Sequence, residues 1–111
     1  MDLNQFLLSL LHALSNLDFV EQVEFQSEVF ILKGKAVLGK SRFLQVYFNE
    51  LTGTTAFALI EKEKRIWGID FDNLRGWHLH TLGDPRSHQD TGPMTIEEII
   101  SSLSEAWSKL P

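Results

Sequence analysis

Leu3, Phe6, Leu7, Leu10, Leu14 and Leu17 recur at the three- and four-residue spacing of one helix face. Asp2, with Gln5 three residues on, supplies a reciprocal N-terminal cap. The pattern predicts an amphipathic helix ending near Asn16, followed by a strand-like segment that begins with Val20, Val23 and Phe25. Beyond Val29 the chain runs in β-branched and aromatic stretches separated by turn residues, as an antiparallel meander does. The connections are read at Ser27-Glu28, Gly39-Lys40-Ser41, Leu51-Thr52-Gly53 and Glu61-Lys62-Glu63-Lys64, and the last strand must stop before Gly92-Pro93. Strands are therefore expected near 20–26, 29–38, 42–50, 54–61, 65–71 and 76–81. Leu44, Val46 and Phe48 alternate with Phe43, Gln45 and Tyr47, which suits a strand in the interior of the sheet.

The closing helix carries the strongest local signals. Thr95 and Glu98 form a capping box, Met94 and Ile99 are placed for a hydrophobic staple, and Ile99, Ile100, Leu103, Ala106, Trp107 and Leu110 make one apolar stripe. Glu97, Ser101, Glu105 and Lys109 are left for solvent. The expected fold is a single α+β domain over 1–111: an N-terminal helix, an antiparallel meander of five to six strands, and a C-terminal helix packed on the sheet.

Bulk properties narrow the function classes. The chain has no cysteine, which excludes disulfides, a thiol nucleophile and Cys-based metal sites, and fits a reducing cytoplasm. Its longest apolar stretch, Phe6 to Leu14, is interrupted by Ser9 and His12 and falls well short of the roughly 20 residues of a membrane span. No Lys or Arg precedes Lys33, so a secretory signal is not expected and the protein is read as cytoplasmic. A formal charge of -5 argues against tight, sequence-blind nucleic-acid binding, although not against brief contact with RNA. Lys33, Lys35, Lys40 and Arg42 form one basic group and Lys62, Lys64 and Arg65 another, both read as solvated strand ends and a turn.

The chemistry is concentrated between Arg65 and His88, which hold three of the 4 histidines, two of the 3 tryptophans, and Asp70, Asp72 and Asp84. In Trp77-His78-Leu79-His80 the two imidazoles project from one strand face and the two apolar side chains from the other. Residues two apart on a strand lie about 6.5 Å apart, near enough for both rings to engage one phosphate or one metal ion. Asp70 and Asp72 follow the same rule. A tight connection at Asn73-Leu74-Arg75-Gly76 would bring carboxylates and imidazoles together across a ladder.

Such a cluster can accept, donate and shuttle protons, and with Arg75 or Arg86 as the phosphate-binding cation it has the groups that metal-free RNA cleavage needs. A two-His, one-carboxylate metal site is the competing design, with His78, His80 and His88 as the candidate ligands should a divalent metal bind. Structural readings stand beside these. An HxH pair is often a polar strand face, Asp72-Asn73 and Asp84-Pro85 are common turn formers, and Trp67 and Trp107 read as core. Trp77 is a candidate pocket wall, and His12 reads as a solvated or capping residue.

The order Ile66-Trp67-Gly68, Phe71-Asp72-Asn73, His78-Leu79-His80, Pro85 with His88, and a helix opening at Thr95-Ile96-Glu97-Glu98 resembles the TumE-type toxins of prokaryotic toxin–antitoxin modules. In that family pattern histidines follow Asp-Asn almost directly, often as His-His, whereas Leu74-Arg75-Gly76-Trp77 intervenes here. The resemblance implies a growth-inhibiting protein held by a helix-turn-helix antitoxin, with RNA cleavage as the expected activity. Asp72, Asn73, His78, His80 and His88 are carried over as site candidates, and local geometry adds Asp70 and Arg75. A non-enzymatic, protein-binding adaptor and a small metal-binding domain are the alternatives.

Overall fold

A computed structural model of the chain describes residues 1–84 and 86–111; Pro85 lies outside the described residues. Helix α1 (Leu3–Ser15) leads into β1 (Val20–Glu28), β2 (Ile31–Leu38), β3 (Arg42–Asn49), β4 (Thr55–Glu61), β5 (Lys64–Asp72), β6 (Gly76–His80), the short β7 (Gln89–Asp90) and α2 (Ile96–Ser108). The strands form one antiparallel sheet in the order β1 to β7, each bonded to its chain neighbours. This is the expected α+β meander with one strand more than predicted. The two residues of β7 are too short for a periodicity to register.

Both helices are capped as expected. Asp2 and Gln5, and Thr95 and Glu98, exchange side-chain and backbone hydrogen bonds at the two N-termini. Although the helices bracket the sheet in the sequence, they pack against each other and on the same sheet face. Phe6 of α1 stacks on Phe48 of β3 at 4.2 Å between centroids and leans on Phe57 of β4. Ile96, Ile99, Ile100, Leu103 and Ala106 of α2 complete the core, and Trp67 is buried in it. Glu97, Ser101, Glu105 and Lys109 are exposed, as the stripe predicted. No helix among the described residues is long and apolar enough to cross a membrane.

Three local readings are corrected. The first hairpin turns at Val29-Phe30, not Ser27-Glu28: Glu28 pairs with Ile31, and Val29 sits at φ 48 with most of its side chain in solvent. Two apolar turn residues imitated the start of a strand. Arg42 is no solvated strand end. It alternates in register with Leu44, Val46 and Phe48, so it faces the core, where Glu61 accepts its Nε–H at 2.6 Å and Trp107 lies against its guanidinium at 5.0 Å. Trp77 points away from the histidines, tilts against Phe71 at 5.2 Å and packs on the core side.

Candidate functional site

The site is assembled on the sheet face that the helices leave bare. The β5–β6 hairpin sets its register: Asp70 pairs with His78 and Gly68 with His80, which puts one carboxylate and two imidazoles on one surface. The turn is held by Asp72, whose Oδ1 accepts the backbone N–H groups of Leu74 at 2.9 Å and Arg75 at 2.7 Å. The Arg75 N–H is the main reason that Asp72 titrates below its ordinary 3.8; partial desolvation opposes it, and the Leu74 N–H and the positive charge of His78 and Arg75 assist. Asn73 donates from its side chain to the Thr52 carbonyl at 3.1 Å. Asp72 and Asn73 thus lie in the supporting turn, while His78, His80, His88 and Asp70 come together, with Arg75 at the margin.

After β6 the chain doubles back. β7 pairs with β6 through His78 with Asp90 and Leu79 with Gln89, and Thr91 donates its N–H to the Trp77 carbonyl. That return carries His88 over the pair: its ring centroid is 5.2 Å from that of His78 and 4.5 Å from that of His80. His78 and His80 are consequently buried, at 2% and 7% exposure, so the reading of this pair as a polar surface face does not hold. His88 and Arg75 remain exposed.

The polar contacts are directional. The Gly76 carbonyl lies 3.1 Å from His78 Nδ1 and can only accept, so Nδ1 carries the proton. His80 Nε2 is 3.1 Å from Asp70 Oδ2, and His78 Nε2 faces the same oxygen at 3.5 Å. With Nδ1 already protonated, that second approach is attractive only when a proton or cation lies between nitrogen and carboxylate. One carboxylate oxygen therefore faces a ring nitrogen of each histidine. Arg75 reaches His88 Nδ1 at 3.5 Å, and a guanidinium only donates, so this nitrogen acts as the acceptor. Desolvation, followed by the positive charge of His80, Arg75 and His78, lowers the His88 pKa below its ordinary 6.5, with Asp70 opposing.

Sequence reasoning placed Arg65 in a solvated basic group and missed its part here. In a regular strand Arg65 would share the core face of Trp67 and Ile69, because strand period is two. One extra residue on β5, Ile66, bulges opposite the step from Leu59 to Ile60 on β4 and turns Arg65 to the open face. There it crosses Gly68, where any Cβ would collide with the guanidinium, and donates to Asp70 Oδ1 at 2.7 Å. Its buried Nε has no partner among the described residues. An isolated glycine in a strand is the one signal in the sequence that something approaches the backbone there.

Ligand nitrogens of His78, His80 and His88 all lie within 4.8 Å of one another, so among the described residues this trio is grouped closely enough to be a candidate for holding a metal ion. In a tetrahedral zinc site with Zn–N about 2.0–2.1 Å, two nitrogens lie about 3.4 Å apart, so the three rings would have to draw closer by up to about 1.4 Å. No protein-family model, curated protein or solved structure matches the chain.

Proposed function

We propose that this chain is the toxin-like component of a toxin–antitoxin module and cleaves RNA through the histidine cluster, held in check by a helix-turn-helix antitoxin. The supporting observation is the convergence of three imidazoles with the Asp70 carboxylate and the cations Arg65 and Arg75 on one open face. Exposed His88, its pKa lowered and its ring neutral at physiological pH, suits the general base. As Arg75 turns from His88 Nδ1 to the substrate phosphate, that nitrogen takes the proton of a ribose 2′-hydroxyl, the 2′-oxygen bonds to the adjacent phosphorus, and the bond from phosphorus to the 5′-oxygen breaks. His80, acting in its protonated form and held by Asp70 Oδ2, gives a proton to that leaving oxygen, which yields a 2′,3′-cyclic phosphate and a 5′-hydroxyl. Arg75, exposed beside His88, faces the charge that develops on the phosphate.

Growth and RNA integrity on expression test this, with the purified protein assayed for cyclic-phosphate ends. His88→Ala removes only an exposed ring, so it is expected to keep its melting temperature and lose a factor of about 10²–10⁴ in cleavage. Full toxicity in that variant removes the mechanism. The spacing of the three histidines also favours a second reading, a divalent-metal site. That reading requires zinc or manganese to raise the melting temperature, and His88→Ala to abolish the rise. Equal melting with metal and with chelator eliminates it.

A further inference from the structure

The bare sheet face continues past the cluster. Across β2, β3 and β4 it sinks into a hollow of about 490 Å³ whose floor includes Gly34, Ala56 and Ala58. Gly34 sits at φ 151, and a Cβ there would strike the Glu24 carbonyl, so a side chain cannot fill this part of the floor without moving β1. Lys33, Lys35, Phe43 and Tyr47 stand around it.

Strand register joins this hollow to the histidines. Lys33 pairs with Tyr47, Tyr47 with Ala56, Ala56 with Asp70 and Asp70 with His78. The adjoining row runs Lys35, Gln45, Ala58, Gly68, His80. Each row thus has a lysine at one end and a histidine at the other; Tyr47, Ala56 and Asp70 lie between in the first row and Gln45, Ala58 and Gly68 in the second. From Tyr47 to His78 is three strand spacings, about 14 Å.

We propose that the two rows form the track for a single strand of RNA, whose backbone is held by Lys33 and Lys35 and whose base stacks on Tyr47, two to three nucleotides from the bond cut at the histidines. The assignment rests on the RNA reading of the cluster and extends it to substrate binding. Three features select this occupant. The chain is acidic overall, at -5, yet this hollow carries two lysines against the single acid Glu24. Lys33 is bridged to Glu28 only at 3.8 Å with both side chains mostly in water, a contact too weak to withhold the lysine from a phosphate. Aromatic rings on an open sheet are sequence-tolerant stacking surfaces for single-stranded bases. A peptide strand would instead add to an edge and run parallel to the strands rather than across them.

The track is short, so it contributes affinity without making the protein a general nucleic-acid binder. Binding of the full-length protein to a fluorescent, 2′-O-methylated oligonucleotide, which cannot be cut, is measured over a salt series. Lys33→Ala with Lys35→Ala is expected to weaken binding and to reduce the slope of log affinity against log salt by about 1.4, the value for two lost phosphate contacts on a single strand. Tyr47→Ala is expected to lose about tenfold at every salt concentration. On cleavable RNA both variants raise KM with little change in kcat, whereas His88→Ala lowers kcat. Native melting curves for these variants exclude misfolding as the cause. Affinity and slope unchanged in both sets of variants overturn the track and return the hollow to a protein partner. A wild-type chain that binds in this lysine-dependent way but never cuts leaves the track standing and removes the catalytic reading.

Discussion

Phe57 and Gln45 lie on neighbouring strands of the same sheet, one facing the helices and the other facing the bare side. Phe57 is fully enclosed, touching Phe6 across the core, while Gln45 stands in the open next to Ala58. The helix-covered face is apolar and tightly filled, with Arg42 as its main polar intrusion. The bare face carries the acids, bases and cations. One layer of backbone therefore separates the core that holds the molecule together from the candidate site. That division is open to test because each face can be altered alone.

The sharpest division is expected from the first pair. Phe57→Ala deletes a fully buried ring and should cost about 3–5 kcal/mol in urea unfolding, a large part of the 5–15 kcal/mol that typically stabilises a domain. Gln45→Ala should stay within about 0.5 kcal/mol. A comparable loss from Gln45→Ala would mean that the bare face is structural, and the separation of roles would fail.

Gly68→Ala probes the place where the two faces depend on each other. The new methyl would occupy the space of the Arg65 guanidinium and push it off Asp70, so a cost of about 1–3 kcal/mol is expected, together with reduced cleavage if the proposed activity holds. Arg65→Ala vacates that space. In the double variant the methyl meets no guanidinium, and the combined cost should be smaller than the sum of the two singles. Strict additivity would show that Gly68 serves some purpose other than accommodating Arg65.

This corner also marks where the sequence stopped being informative. Helix caps, the α2 stripe and the alternation in β3 are local patterns with one period, and the fold follows them. The pairing of Asp70 with His78 was legible for the same reason, since both lie on regular strands joined by a short turn. Arg65 was hidden because a one-residue bulge reverses the face on which it lies, and no composition or spacing announces the bulge. The turn at Val29-Phe30 was hidden by its own hydrophobicity. The burial of His78 and His80 depends on β7 and the return of the chain, a tertiary event that two residues of strand do not signal. Asp72 and Asn73 matched the resemblance as site candidates and the turn rules as formers, and their bonds lie in the turn.

The smallest effect is the most diagnostic for the bare face. Desolvation and the charges of His80, Arg75 and His78 hold the His88 pKa below 6.5, which keeps its ring neutral and able to accept a proton. Arg75→Ala removes one of these causes, so the pKa must move upward, toward the ordinary value. If His88 is the base, kcat/KM rises with pH through that pKa, and the variant's rising limb lies at higher pH than the wild type's. The fold carries the opposite signature of the same shift. A histidine with a lowered pKa binds protons better when unfolded, so its contribution to stability is present above about pH 6.5 and is lost as pH falls through the folded pKa. Arg75→Ala should lessen that acid sensitivity while displacing the activity limb. Titrating His88 by NMR alongside the rate profile separates the cases. A ring whose pKa moves while the limb stays fixed is not the base, whereas a limb that moves with the ring ties the reaction to this face of the sheet.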